Sequence, residues 1–315
     1  MKPSEAKKLT ADLSPFGAWA FALGTSVGWG SLVVTSNSYL VKAGPAGSVL
    51  GMIAGTLIML VISRNYAYLM QIYPDSGGAY TYSKKVFGHD YAFLTAWFLA
   101  LVYFAILWAN ATSIPLFARI FVGDMFKVGR MYSFFGYDVY LGETLVTIAA
   151  IIFIAFLCIR SKKAVRTAMI GLVCLFALGI TIVFIVALTG HRGSFEPYFA
   201  EDSGALVQVI KIVVISPWAF IGFESISHRA GEFSFKETKI FKILVAAVVS
   251  ASLLYIFVTL LSVTAYPDRY ASWAAYISEL GNLSGLEALP AFYAANHYLG
   301  SPGVVLLMLS LLPLL

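Results

Sequence analysis

Residues Trp218 to Glu224 read Trp-Ala-Phe-Ile-Gly-Phe-Glu and lie inside an apolar run of membrane length, Ala205 to Gly231, that also holds Pro217. A carboxylate at mid-depth in hydrocarbon costs about 2.5 to 3.5 kcal/mol on insertion scales and is kept where a pathway or binding site uses it. Desolvation raises the pKa of a carboxyl and lets it exchange a proton near neutral pH, which makes Glu224 a candidate for proton coupling. The competing account is a carboxylate paired to a neighbouring helix for packing alone. A second unusual stretch, Gly24-Thr25-Ser26-Val27-Gly28-Trp29-Gly30, sits in the first apolar run. Each interior glycine weakens a helix by about 1 kcal/mol relative to alanine, so three together permit a break. On its own the stretch reads equally well as a small-residue packing face. If spans one to five and six to ten are two copies of one unit, the two interruptions fall at corresponding positions. Such a pair points to a binding site at the midplane.

The chemistry of a broken pair follows from its free backbone groups. Where the first helix restarts after Gly28, its leading amides have no intrahelical acceptor and its dipole end is positive, so it can hold a carboxylate without Arg or Lys. Where the sixth stops near Ala219 to Gly222, free carbonyls can hold an ammonium. A zwitterionic amino acid satisfies both, and unwound backbone is tolerated at that depth only where it lines a cavity.

These residues must be carried by membrane helices. The chain is 60% hydrophobic and 12% charged over 315 residues, against roughly 45–50% apolar and about 25% charged for a soluble domain. Seven complete apolar runs are long enough to span: Phe16 to Val41, Gly47 to Met70, Tyr91 to Val122, Glu143 to Arg160, Ala168 to Thr189, Ala205 to Gly231 and Ile243 to Tyr266. An eighth starts near Leu299 and is cut off at Leu315. Lys2, Lys7, Lys8, Lys84, Lys85, Arg160, Lys162, Lys163, Arg166, Lys236, Lys239 and Lys242 all fall in loops on one side. That asymmetry predicts a cytoplasmic N-terminus and an extracytoplasmic loop from Tyr266 to Tyr298 that caps the bundle with short helices. The net charge of +5 is thus a matter of orientation rather than a nucleic-acid face. Cys158 and Cys174 lie in apolar runs and read as two membrane-buried thiols. No metal-spaced His/Cys set, P-loop or nucleophile elbow supports an enzyme, and no cofactor is implied.

Gly24 to Gly30, the segment Tyr73-Pro74-Asp75-Ser76-Gly77-Gly78-Ala79-Tyr80-Thr81-Tyr82 ahead of Lys84-Lys85-Val86-Phe87-Gly88, and Phe220 to Ser225 together resemble the amino acid-polyamine-organocation permeases, in order along the whole chain. The resemblance implies an all-α integral membrane fold of the LeuT type, with an inverted five-plus-five repeat of which the first copy and part of the second are present. A cytoplasmic segment over 1–13 would precede a transmembrane permease domain over 14–315. By the same resemblance Ser26, Val27, Gly28 and Gly30 bind the substrate carboxylate, Ala219, Ile221 and Gly222 bind its ammonium, and Trp218 is an aromatic gate over the substrate. Trp29, where many relatives have Ser, would make the pocket floor bulky. The fifth span has no Lys of the kind that some proton-coupled relatives use.

The function expected is secondary transport of an amino acid or related amine across the cytoplasmic membrane by alternating access, either proton-coupled or by exchange, with the proton as candidate coupling ion and the lipid bilayer as surroundings. The alternative is a membrane sensor that keeps the binding fold without transport. Asn110 is a candidate for lining the pathway, with interhelical glue as its bland reading. Lys211 can snorkel to the outer interface, His228 and Arg229 approach the inner one, and Trp97, Tyr103 and Trp108 could flank the route.

Overall fold

The computed structural model describes residues 12–134, 137–200 and 203–311. Lys2, Lys7 and Lys8, used above to read orientation, lie outside them.

Two start signals set the first helix. The Ser14 hydroxyl accepts from the Gly17 amide at 3.1 Å and Pro15 fills the first turn of α1 (Pro15–Ser26). The helix stops where Val27 becomes extended (φ −103°, ψ 118°) and resumes as α2 (Gly30–Val34). A π-helical turn, Thr35–Leu40, runs into α3 (Val41–Ile72). Inside α3, Gly44 has φ 62° and Pro45 follows, so the chain turns a corner, closed by the Ala46 amide on the Tyr198 carbonyl at 3.0 Å. The first expected span is therefore a broken helix, and the second begins at this corner. Among the described residues six helices are long and apolar enough to cross a membrane, beginning with Gly30–Ile72. Seven runs are expected from sequence; the difference is α1, which the break leaves at 12 residues.

After α4 (Ala79–Phe87) comes α5 (His89–Val122), whose 34 residues contain Pro115. An antiparallel hairpin, β1 (Arg130–Phe134) and β2 (Tyr137–Tyr140), joins it to α6 (Leu141–Arg160). Then follow α7 (Lys162–Gly190) and α8 (Ala205–Ile215). Beyond α8 the chain is 3₁₀ over Ser216–Phe220 and again over Phe223–Glu232, separated by Gly222 in the left-handed region (φ 101°). Next are α9 (Ile240–Leu261), the short α10 (Trp273–Ser278) and α11 (Pro290–Leu299), and α12 (Ser301–Leu311). The loop expected to cap the bundle does contain short helices.

The core forms around α9, which packs on α1, α3 and α7. Glycines at every fourth position of α3 let α8 approach closely: a Cβ on Gly51 would overlap Ile212, and one on Gly55 would overlap Ser216. By contrast α5 and α6 lie outside, exposing Phe98, Trp108, Ile152 and Phe156, a surface suited to lipid. Their far ends are tied by a two-pronged ion pair, in which Arg119 Nε and Nη2 each meet a Glu143 carboxylate oxygen at 2.6 Å with Glu143 only 3% exposed. Arg119 also donates to the Asp138 carbonyl and lies over the Tyr137 ring, so the hairpin is held by the same guanidinium.

Candidate functional site

The break between α1 and α2 leaves two sets of backbone groups facing one space. Within it the Ser31 amide returns to the Gly28 carbonyl at 2.9 Å and the Leu32 amide to the Trp29 carbonyl at 3.0 Å. No described protein group accepts from the amides of Gly28, Trp29 and Gly30. They are the unpaired leading donors of a restarting helix, and the last carbonyls of α1 point at the same gap with the opposite polarity. A cavity of about 780 Å³ lies against this gap. Its walls are Gly24 to Gly30, Val102 to Asn110 on one face of α5, Leu157 and Cys158 of α6, the Ala164–Val173 face of α7, and Trp218 and Ile221. None of the lining residues is charged.

Of the expected site residues, Ser26, Val27, Gly28, Trp29, Gly30, Asn110, Trp218 and Ile221 line this cavity, whereas Ala219, Gly222 and Glu224 do not. Ser26 spends its hydroxyl on the Ala22 and Leu23 carbonyls at 2.8 and 3.0 Å. Trp29 is pinned across the gap, its indole donating to the Ala109 carbonyl at 3.2 Å and its ring meeting Phe117 edge-on. It forms a side wall toward α5 rather than a floor. Trp218 presses its six-membered ring on Gly30, where a Cβ could not fit. With Val34 and Ile221 it also lines a second cavity of about 560 Å³ that includes Ser38, Tyr39 and Val214. The indole thus forms part of the wall of both spaces.

The sixth helix departs from the expected arrangement. The Gly222 carbonyl is not free: it accepts from the Thr25 hydroxyl at 2.8 Å and the Ser225 amide at 3.0 Å. Ala219 is fully buried. Thr25 also receives the Ser225 hydroxyl at 3.1 Å, so this threonine, which sequence reasoning passed over, joins the two broken segments. Its one sequence signal is a hydroxyl beside the first break. At the end of α1 the Leu23 carbonyl already accepts from the Val27 amide and the Ser26 hydroxyl, both at 3.0 Å, while the Gly24 and Ser26 carbonyls have no such partner among the described residues.

Glu224 turns back on its own segment. One carboxylate oxygen accepts from the Gly222 amide at 2.9 Å, and the other faces the Tyr103 hydroxyl at 3.4 Å. Of the three α5 aromatics, only Tyr103 points inward; Trp97 and Trp108 are exposed on the outer face. The His228 Nε2 is buried without a hydrogen-bond partner. Arg229 pairs with Glu232 at 2.9 Å through Nε and lies over the Phe21 ring. Lys211 donates to Ser203 at 3.2 Å. Among the described residues no group of three His, Cys, Asp or Glu is placed to hold a metal ion.

A family model described as "Amino acid permease" matches residues 13–308. The branched-chain amino acid permease BcaP of Bacillus subtilis (strain 168) is 23% identical over 96% of this chain, and the methylthioribose transporter of the same organism is 23% identical over 97%. The low-affinity putrescine importer PlaP of Escherichia coli (strain K12) is 22% identical over 67%. The chain spans 65%, 66% and 45% of the length of these relatives. All three are named for transport, and none for sensing or for an enzymatic reaction.

Proposed function

The chain belongs to the amino acid permease family, and from that premise we propose that it serves in carrying a neutral amino acid with an apolar side chain across the cell membrane by alternating access. The observation that carries this reading is the break at Val27–Trp29. Three amides without a described acceptor, and the unpartnered carbonyls of Gly24 and Ser26, belong to residues that line a cavity with no charged wall. The amides suit the substrate carboxylate and the α1 carbonyls its ammonium, which replaces the ammonium role expected of Gly222. The apolar faces of α5 and α7 suit a hydrocarbon side chain. A diamine such as putrescine would have to bury a second ammonium there without a carboxylate, at a cost of several kcal/mol.

In this reading the fold is the LeuT type with α1–α2 and the 205–232 segment as its two interrupted helices, and the N-terminus is cytoplasmic. Trp218 is the gate between the substrate cavity and the outer space. Glu224 is the carboxyl that takes up and releases the coupling proton, one step removed from the substrate.

Cys158 supplies the test, because it lines the cavity while Cys174 does not. Leucine or isoleucine bound at the break should slow alkylation of Cys158 by a small maleimide, and putrescine at the same concentration should not. Equal rates with every compound would refute the site. Protection by putrescine and not by leucine would refute the substrate class.

A further inference from the structure

The Pro74–Tyr82 motif has no part in the site described so far, yet it packs against the segment that carries Glu224. Eight buried side-chain polar atoms among the described residues have no hydrogen-bond partner, and four of them gather here: Ser76 Oγ, Tyr82 Oη, Ser227 Oγ and His228 Nε2. Gly78 holds the centre. It adopts φ 53°, and a Cβ there would lie 2.6 Å from both Ser227 Oγ and His228 Nδ1. Only glycine lets the loop close on the two side chains. Tyr82, one turn later on α4, faces Ser227, and these two residues are 6% and 0% exposed. Buried polar groups nearly always find a partner; here the Tyr82 and Ser227 hydroxyls face each other, and Ser76 Oγ and His228 Nε2 are left as polar atoms turned into the same packed region.

Tyr103 links this cluster to the coupling carboxyl. Its hydroxyl lies 3.4 Å from Glu224 and its ring meets His228 edge-on at 6.3 Å. The other titratable or charged groups of this region are Tyr66 from α3, which faces Glu224, Asp75 and Tyr82 from the motif, and Arg229, which is already paired with Glu232. None of them forms an ion pair with His228 among the described residues.

We infer that the cluster is a hydrated outlet through which the proton leaves Glu224 on the Ser14 side of the membrane, with His228 as its acceptor. The inference rests on the reading of Glu224 as the coupling carboxyl. The neutral carboxylic acid gives up its proton and becomes carboxylate. The imidazole takes the proton at its unpartnered nitrogen, becomes imidazolium and passes it to solvent water, returning to neutral. Tyr82, Ser76 and Ser227 hold the waters that complete the chain, and histidine suits the step because either ring nitrogen can take or give a proton.

The test uses the purified protein in proteoliposomes with radiolabelled leucine, read both as uptake driven by a pH gradient and as gradient-free counterflow. His228→Gln keeps a polar side chain but cannot carry a proton. It should slow gradient-driven uptake by about tenfold or more while counterflow stays within about twofold. Glu224→Gln should abolish the gradient dependence altogether. If Glu224→Gln retains it, the coupling reading fails. If Glu224→Gln loses it and His228→Gln behaves as wild type, the outlet fails and the coupling reading stands. Equal slowing of uptake and counterflow by His228→Gln would assign His228 to packing and also overturn the outlet. Labelling decides the matter without any substrate. Ser227→Cys in a Cys158→Ala, Cys174→Ala background should react with a charged methanethiosulfonate added on the Ser14 side, and a fully unreactive Cys there would overturn the hydrated outlet.

Discussion

Gly28→Leu separates the binding function of the break from its structural role. A Cβ on Gly28 would meet nothing nearer than the Gly30 nitrogen at 4.0 Å, and its φ is outside the left-handed region, so the backbone accepts a side chain there. Gly30 and Gly222 differ. A Cβ on Gly30 would strike the Trp218 ring, and one on Gly222, at φ 101°, would strike the Thr25 backbone. Leucine at position 28 therefore enters the cavity and covers the unpaired amides while the fold is kept. Hydrogen bonds to a charged group contribute about 1.5–3 kcal/mol each. Losing two of them from a bound carboxylate costs about 3–6 kcal/mol, or roughly 10²- to 10⁴-fold in Kd. Scintillation-proximity binding of labelled leucine reads the loss, and the thermal unfolding midpoint checks that the protein is intact. Gly222→Ala should lower that midpoint, because strain at a left-handed position and backbone overlap both oppose it. A Gly28→Leu protein that is folded and binds leucine within about threefold of the wild type would refute the assignment of the carboxylate to these amides.

Trp29→Ser removes the indole that reaches Ala109 and Phe117, widening the cavity toward α5. Its binding profile should shift toward bulkier amino acids, and a profile identical to wild type would place Trp29 outside the pocket. Arg119→Ala strands a Glu143 that is 3% exposed. The expected cost is about 3–5 kcal/mol, and Glu143→Gln in the same protein should recover part of it. A thermal midpoint unchanged by the single substitution would show that the pair does not hold the hairpin. In the capping loop, the Arg269 guanidinium holds Glu287 below the usual carboxylate range. A depressed folded pKa means stability that is present above the unfolded pKa and lost only as pH falls through the folded one. Hydrogen exchange across Trp273–Leu289 should therefore be as protected at pH 5.5 as at pH 7.5, after correction for intrinsic rates, and loss of protection already at pH 5.5 would contradict the pairing.

What could be read from the chain in advance was whatever glycine, proline and hydrophobic runs determine locally. Three glycines before Ser31 mark a weak helix, and the structure breaks at Val27–Trp29 among them. Pro217 and Gly222 mark the second weak segment, although the chain there is 3₁₀ from Ser216 onward rather than α-helix with a single gap. The β1–β2 hairpin escaped notice because its strands are 5 and 4 residues long, too short to show alternation against an aromatic background. Side-chain partners across the fold were least legible. Periodicity places Thr25 beside a break but does not say that its hydroxyl will occupy the Gly222 carbonyl 197 positions later. The same gap explains the ammonium assignment, since a carbonyl freed by a helix end is open only if no neighbouring hydroxyl has taken it.

That occupied carbonyl has a mechanical consequence. Gly222 is held from both sides: its carbonyl by Thr25 of the first broken helix, its amide by Glu224 of its own segment. A carboxylate is a stronger acceptor than a neutral carboxyl, so protonating Glu224 weakens its hold on the Gly222 amide. The residue freed to move is the corner of the sixth helix. It lies four residues from Trp218, next to Ile221, and both of these side chains line both cavities. In the proposed reading, proton binding at Glu224 and the position of the Trp218 gate would be joined through one peptide unit, with no charged residue lining the cavity itself. The same geometry explains how a carboxyl outside the substrate space could bias which side that space opens to: it need only favour one of two positions of the Gly222 corner, and its effect is bounded by the difference in that single charge-assisted hydrogen bond, about 1.5–3 kcal/mol.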